Sequence, residues 1–457
     1  MTHTTMPTTT FARAPAHHGQ ERPPGKRAET LLAWIVAIAL LGNACLLDPW
    51  ADAAFDAPKR LVALMAAAIG GVVLCMHARW PRWRDWSATA RCSASLAVLG
   101  AFGLLLAASV SPHPTQSWST VRSMLLFGAY LAIGASDIGA RMRGRVACVI
   151  AAAVAVNICI SLAQGVGVAL PIPVVQMGGR FPTGALLGNE AYVTLAAAFA
   201  AAACTAFVLN TRRALHRWLA LVLGASCIAV IVDNRQLTSA IALTAAVIAV
   251  VAIRMRQRWI VWFGASVLLI AIATVVIPPV RALTWSRVPG VDVETYQRLT
   301  TYRLAAWAAA EDMVRTRPLL GYGPGTYASE AQTHRLAAEM RVHERLRPPP
   351  NASAFVYAHQ EYLQLAAEAG IPTALAFLGA FGVLLGGLLR KVRSPGPVEP
   401  LALFGILVAG AVSALAWFPL QIPFTAIVLL MAIGRAFRVV AIVHESDTTL
   451  PGVPNPD

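Results

Sequence analysis

A histidine lies in a polar stretch of an otherwise apolar chain, the sequence YAHQEYLQLAAEAG at 357–370. Histidine is the side chain best suited to accept a proton near neutral pH, so His359 is a candidate general base. We expect it at the start of a helix that enters the membrane, where Gln360, Gln364 and Glu368 form a polar stripe along one face. The alternative is an interfacial histidine that hydrogen-bonds a loop.

Arg235 is the second candidate, in the sequence IVDNRQLTSA between two apolar runs. The preceding run, 218–232, has 15 residues, so as a helix it spans about 22 Å, less than the roughly 30 Å hydrocarbon core. The turn should therefore lie below the membrane surface, where an unpartnered arginine costs on the order of 2.5–3.5 kcal/mol. A functional role explains such an arginine, and so does snorkelling or pairing with Asp233.

Two further arginines are candidates. Arg303 opens RLAAWAAAEDMVRTRPLLGYGPG and shares a helical face with Trp307 and Glu311. The glycines at the end of that sequence lack P-loop spacing, which favours a tight turn over an anion site. Arg180 belongs to GGRFPTGALLGNEAYVT, whose glycines are explained by a loop that re-enters the membrane and almost as well by an ordinary loop.

These isolated cations favour an anionic, lipid-linked substrate. Guanidinium groups match phosphate oxygens, and a pyrophosphate head group would lie at this depth. The sequence shows no paired carboxylates with acid/base spacing, no Ser/His/Asp set and no metal-ligand cluster that would indicate another chemistry. No metal and no cofactor are therefore expected.

The chain that positions these residues has the composition of a multi-spanning membrane protein. Of its 457 residues, 57% are hydrophobic and 13% charged, whereas soluble domains carry about a quarter charged residues. The mean hydropathy is +0.61. The sequence predicts an all-α polytopic membrane protein with about 12 transmembrane helices. They are expected at 31–47, 61–76, 93–110, 121–137, 146–164, 191–209, 218–232, 238–253, 259–277, 372–389, 401–417 and 422–438.

The basic residues indicate the orientation. The net charge of +15 is gathered in short connectors, as in the cytoplasmic loops of membrane proteins, and does not suggest nucleic acid as a partner. Alternate connectors are nearly free of positive charge, so both termini are expected in the cytoplasm. The predicted organisation is a disordered tail at 1–30, helices 1–9 within 31–277, a large and mostly helical periplasmic loop at 278–371, helices 10–12 within 372–438 and a cytoplasmic tail at 439–457.

Four sequence motifs together resemble the membrane family of bacterial O-antigen ligases and their polymerase relatives. They are TGALLGNEAYVT after Arg180, DNRQLTSA around Arg235, the segment from Arg303 to PLLGYGPGTY, and HQEYLQLAAEAGIP from His359. The resemblance covers roughly residues 93–438. This sequence departs from the family's pattern at Gln360, because the family's histidine motif usually continues with asparagine.

The resemblance implies a glycosyltransferase on the periplasmic face of the bacterial inner membrane. Such enzymes transfer a polysaccharide from undecaprenyl pyrophosphate to the lipid A-core of lipopolysaccharide without a metal ion. His359 matches the family's essential histidine, and Arg235 and Arg303 match its two essential arginines, while Arg180 is a weaker match. The resemblance thus implies that His359 is a general base and that the arginines bind the pyrophosphate. Membrane lipids are expected to surround the protein.

Three other functions remain open at this point. Within the family, an O-antigen polymerase or an oligosaccharyltransferase acting on a protein serine would use the same donor. We favour a ligase because the basic segment 334–348 is suited to the phosphates of a lipopolysaccharide core. A transporter of lipid-linked glycans would also have many spans with intramembrane arginines. A transporter should show internal repeats, whereas here the unusual residues gather on the outer side and the two halves differ in loop length.

Overall fold

A computed structural model describes residues 26–48, 55–168, 183–255, 264, 303–342, 355–393 and 398–442. In these residues the chain forms fourteen α-helices and no β-strand. In chain order they are α1 (Lys26–Cys45), α2 (Ala57–His77), α3 (Ala88–Ser109), α4 (Pro114–Ala135), α5 (Asp137–Gly165), α6 (Glu190–Asn210), α7 (Ala214–Asp233), α8 (Leu237–Met255), α9 (Arg303–Thr316), α10 (Tyr327–Val342), α11 (Glu361–Ala369), α12 (Ile371–Val392), α13 (Val398–Ser413) and α14 (Pro423–Ala441).

Nine of the described helices are long and apolar enough to cross a membrane: α1, α2, α3, α5, α6, α7, α8, α12 and α14. Each falls on a predicted span. The predicted spans at 121–137 and 401–417 are helices as well, but α4 begins with a polar turn and α13 has only 16 residues. The predicted span at 259–277 lies outside the described residues apart from residue 264, so the total of twelve stays a prediction.

Small residues let the helices pack closely. α6 is rich in alanine, with Ala196, Ala197 and Ala198 all buried. Where α4 crosses α14, a methyl group on Gly134 would collide with the backbone oxygen of Met431. Close backbone approach at small residues is the usual packing of helices in lipid, and it holds α4 within the bundle despite its polar start.

Large apolar side chains cover much of the outer surface of the bundle. Trp34, Met76, Val98, Leu125 and Val222 are each more than half exposed. Contiguous apolar surface of this extent is unusual for a protein in water and is expected where lipid is the solvent. The described chain is therefore a multi-pass membrane protein.

Helices α9, α10 and α11 pack together between α8 and α12 in sequence. They share a small core that includes Leu304, Met313, Tyr327 and Ala358. The loop at 278–371, expected to be mostly helical, contains the helices Arg303–Thr316 and Tyr327–Val342, and its parts at 278–302 and 343–354 lie outside the described residues. α11 then contacts α3 and α12, which joins this segment to the spans.

Several predicted boundaries were wrong in detail. α1 begins at Lys26, within the segment expected to be a disordered tail, and α14 continues to Ala441. The stretch after His359 does not run straight into the next span, because Gly370 breaks the helix with a φ of 86°. A side chain at Gly370 would collide with the carbonyl of Leu319, so α11 and α12 are separate helices at this close contact.

Candidate active site

The turn that carries Arg235 is a tight reversal between α7 and α8. Arg235 adopts a left-handed conformation, with φ of 51°, and its N–H donates to the carbonyl of Val232 at 3.0 Å. Its side chain is exposed, and within the described residues it forms no hydrogen bond or ion pair, with Asp233 or any other group. The guanidinium therefore has donors available for a ligand.

Polar contacts on the neighbouring residue fix this turn. Asn234 is buried, and its amide nitrogen donates to the Ser161 hydroxyl at 3.3 Å and to the carbonyl of Val230 at 3.0 Å. Its side-chain oxygen accepts from the Thr183 hydroxyl. Asn234 thus ties the Arg235 turn to α5 and to the loop that precedes α6.

That loop, 183–189, is held against α5 by amide side chains. Asn157 accepts from the backbone of Leu186 and Leu187 at 3.1 and 3.0 Å, and Gln164 accepts from Ala185 at 2.9 Å. These contacts hold most of the loop in a buried position among the helices. Arg180, the candidate just before it, lies outside the described residues.

Arg303 is largely buried at the start of α9. One of its terminal nitrogens donates to the carbonyl of Ala416 at 3.0 Å and contacts the hydroxyl of Thr238 at 3.4 Å. Thr238 is in the first turn of α8, three residues after Arg235, so Arg303 reaches the helix that the Arg235 turn begins. Burial lowers the pKa of Arg303 to about 10, and the side chain remains protonated at neutral pH.

His359 precedes its helix instead of starting it, which corrects the sequence expectation. α11 begins at Glu361, and His359 lies in a turn with φ of 54°. The described residues contain only three non-glycine residues with positive φ, and Arg235 and His359 are two of them. Such conformations cost on the order of 1–3 kcal/mol and cluster at functional sites.

Aromatic rings surround the imidazole of His359. Its centroid lies 4.9 Å from Phe418, 5.1 Å from Trp417 and 5.9 Å from Phe355. Its Nδ1 atom is buried and has no hydrogen-bond partner in the described part of the chain. Burial, and secondarily the charge of Arg303, lowers the pKa of His359 to about 3, so the imidazole is neutral at physiological pH.

Trp417 brings two of the predicted residues together. The guanidinium carbon of Arg303 lies 4.8 Å from the indole centroid, and the imidazole of His359 packs on the same side chain. The sequence prediction missed Trp417 and its neighbour Phe418, whose stacked rings have centroids 4.6 Å apart. The available signal was the pair of aromatic residues followed by proline in AWFPLQ, at the end of an apolar run.

The polar stripe predicted after His359 has a structural role. Gln364 accepts from the backbone of Ala358 at 3.0 Å and donates to Glu368 at 3.1 Å. The Glu368 carboxylate also accepts from the backbone of Gly325 and Tyr327 at 2.8 and 3.2 Å. Burial raises the pKa of Glu368 to about 7. These side chains therefore connect the residue before His359 to the glycine turn.

The glycine turn after α9 is a packing feature. Gly321, Gly323 and Gly325 all have positive φ, and a side chain at Gly321 would meet the backbone of Glu368. The N–H of Gly323 donates to the carbonyl of Glu368 at 2.7 Å. The turn thus packs on the end of α11, as a tight turn requires, and its glycines allow the close approach.

The described helices and the contact of Arg303 and His359 with Trp417 define a polytopic membrane protein with a charged site built at helix ends. Residues 225–378 match the family model described as Wzy_C: O-Antigen ligase, and this match supports an assignment to the O-antigen ligase family. The matched segment contains Arg235, Arg303 and His359, whereas Arg180 and Trp417 lie outside it. A search of curated proteins gave no significant match.

Proposed function

We propose that this protein is an O-antigen ligase of the bacterial inner membrane. It transfers O-antigen polysaccharide from undecaprenyl pyrophosphate to a sugar hydroxyl of the lipid A-core, on the periplasmic face, with both termini in the cytoplasm. The observation that supports this proposal is the contact of Arg303 and His359 with one indole, because a cation suited to phosphate then lies close to a group suited to accept a proton.

His359 is the general base in this proposal. A neutral imidazole takes the proton of the acceptor hydroxyl as that oxygen attacks the anomeric carbon of the donor. In the free protein the low pKa of His359 makes it a weak base. A pyrophosphate bound at Arg303 offsets the positive charge that lowers this pKa, so binding of the donor strengthens the base.

Arg235 and Arg303 bind the leaving group. The new bond forms between the acceptor oxygen and the anomeric carbon, with inversion, while the bond from that carbon to the phosphate oxygen breaks. The electron pair stays on undecaprenyl pyrophosphate, and guanidinium groups stabilise the added charge. The exposed side chain of Arg235 is available for this contact, and Arg180 is proposed as a further phosphate contact. The cations take the part that a divalent metal has in many such transfers.

The basic segment expected to bind the lipopolysaccharide core is engaged within the protein. In its described part, His334 contacts Asp312 at 2.6 Å, Arg335 pairs with Glu339 at 2.5 Å, and Arg341 also pairs with Asp312. These pairs occupy cations that a lipopolysaccharide core would otherwise bind. The description of the matched family favours a ligase over a polymerase.

An in vitro transfer reaction tests the proposal. Purified protein is mixed with undecaprenyl-pyrophosphate-linked glycan and lipid A-core in the presence of a chelator, and the products are analysed by mass spectrometry. We expect core carrying polysaccharide, and no product with His359→Ala. Lipopolysaccharide from cells lacking the protein should be bare core, whereas core with single repeats would identify a polymerase.

A further inference from the structure

Arg60, in the first turn of α2, joins three segments that are distant in sequence. Its Nε donates to Asp56 at 2.6 Å, and one terminal nitrogen donates both to the hydroxyl of Tyr357 at 3.0 Å and to the carbonyl of Gln421 at 3.1 Å. Asp56 is on the same helix turn and orients the guanidinium. The family match begins at residue 225 and does not include Arg60.

The contacts of Arg60 flank the turn that carries His359. Tyr357 lies two residues before the histidine. Gln421, whose carbonyl accepts from Arg60, uses its side chain to contact Glu361 at 3.3 Å, and Glu361 is the first residue of α11. Arg60 therefore fixes the segment directly on one side of His359 and through Gln421 on the other.

Tyr357 also belongs to the aromatic surface on which His359 packs. Its ring lies 4.6 Å from Phe418, which in turn stacks on Trp417 at 4.6 Å. We call Tyr357, Phe418 and Trp417 the aromatic row. Arg303 contacts the Trp417 end of this row and Arg60 the Tyr357 end, and His359 packs against Phe418 and Trp417.

The His359 turn needs such support. A histidine with φ of 54° persists only where its surroundings over-determine the conformation. Its buried Nδ1 has no hydrogen-bond partner among the described residues, so ring contacts alone orient the imidazole there. We infer that Arg60 is a positioning residue for His359, acting through Tyr357 and Gln421. This inference rests on the proposed role of His359 as the base.

Transfer kinetics give the first test, with Arg60→Ala, Arg60→Lys, Tyr357→Phe and the Arg60→Ala/Tyr357→Phe double variant. Misplacing a catalytic group by about 1 Å costs on the order of 10²-fold in rate, so we expect Arg60→Ala to lower kcat by about 10- to 100-fold with little change in the donor KM. Lysine cannot make the forked contacts, so Arg60→Lys should show a similar loss. The kcat of the double variant should be no lower than that of Arg60→Ala, because both substitutions break the same hydrogen bond between Arg60 and Tyr357.

A second readout does not depend on turnover. Diethyl pyrocarbonate acylates exposed neutral imidazoles, and the modification of the peptide containing His359 is followed by mass spectrometry. We expect faster modification of His359 in Arg60→Ala and Tyr357→Phe than in the wild type. Arg315→Ala is the matched control, because Arg315 makes the same kind of i,i+4 ion pair with Glu311 at 2.6 Å and, within the described residues, no hydrogen bond to the aromatic row.

The outcomes separate this inference from the proposed function. Absence of product from the wild type would contradict the ligase proposal, while the modification rate of His359 would still decide whether Arg60 holds the turn. An unchanged modification rate in both variants overturns the inference. So does full activity of Arg60→Lys, or a rise in donor KM at constant kcat, since these would indicate a role for charge alone or in substrate binding.

Discussion

Arg303 and His359 lie on the same indole: the guanidinium carbon is 4.8 Å and the imidazole centroid 5.1 Å from the ring of Trp417. The residues are far apart in sequence, and Trp417 comes from a third segment, after α13. One contact therefore fixes the spacing of a cation and a base. Arg303 also reaches Thr238, next to the Arg235 turn, so the described elements of the site converge.

Replacement of Trp417 tests this shared contact. We expect Trp417→Ala to lower transfer on the order of 10²-fold, because both Arg303 and His359 lose the surface that orients them. Trp417→Phe should retain most activity, since the indole N–H makes no hydrogen bond within the described residues. Initial rates with both variants give the comparison, and equal losses in the two would contradict the packing role.

The two arginines should respond differently to substitution. Arg235 is exposed and has an unfavourable positive φ, whereas Arg303 is partly buried with a carbonyl partner. Arg235→Asn should abolish most transfer while thermal stability stays the same or rises, because asparagine tolerates this conformation. Arg303→Lys should lower both the transfer rate and the thermal stability, because an ammonium cannot contact Ala416, Thr238 and Trp417 together. A marked loss of stability in Arg235→Asn would argue against a turn that keeps its arginine for a ligand.

The pH dependence of kcat/KM reports the free enzyme. His359 has a pKa of about 3, lowered first by burial and second by the charge of Arg303. Protonation of His359 should therefore cause no fall in kcat/KM between pH 8 and pH 5. A wild-type acid limb near the usual histidine pKa of about 6.5 would contradict the buried, neutral imidazole.

In an Arg303→Gln variant the smaller of the two causes is removed. The pKa of His359 should then rise, and any acid limb should move to higher pH than in the wild type. Because burial remains, the shift should stop short of the usual histidine value. The residual activity of this variant, measured over the same pH range, gives the comparison.

Glu368 should make stability depend on pH. Its pKa is raised from the usual 4.5 to about 7 by burial, so its contribution is fully present below pH 4.5 and is lost as pH rises through 7. One pKa unit corresponds to about 1.4 kcal/mol. Glu368→Gln loses one backbone contact but does not titrate, so the stability advantage of the wild type should shrink from pH 4.5 to 7. Melting temperatures of both proteins across that range test this prediction. A difference in melting temperature that grows with pH would contradict it.

The sequence predicted the parts of the fold that depend on hydrophobic length. Apolar runs located every described span, because the bilayer fixes the length of a crossing helix. The ends of the nine described helices that are long enough to cross a membrane agree to about five residues, except that α5 begins nine residues before the predicted start of its span. It also predicted the turn at Arg235, between two apolar runs. The depth expected for this turn was based on a run of 15 residues, whereas α7 has 20 residues and is long enough to cross the hydrocarbon core. Helix α13 was harder to place, since 16 residues are short for a span.

The contacts that build the site were not predictable in the same way. His359 was expected on a helix because its neighbours have helical periodicity, but the helix begins only at Glu361 and a left-handed turn precedes it. Trp417 and Arg60 come from segments far from His359 in sequence, and periodicity does not reveal which loops meet. The motif at Gln360 likewise gave no sign that Gln364 holds the backbone of Ala358.

A cryo-electron microscopy map of the protein with the pyrophosphate-linked donor bound tests the central claim most directly. We predict the diphosphate within hydrogen-bond reach of the guanidinium groups of Arg235 and Arg303, about 2.7–2.9 Å between nitrogen and oxygen, with the anomeric carbon facing the imidazole of His359. A diphosphate bound away from these arginines, or an anomeric carbon that His359 does not face, would contradict the account.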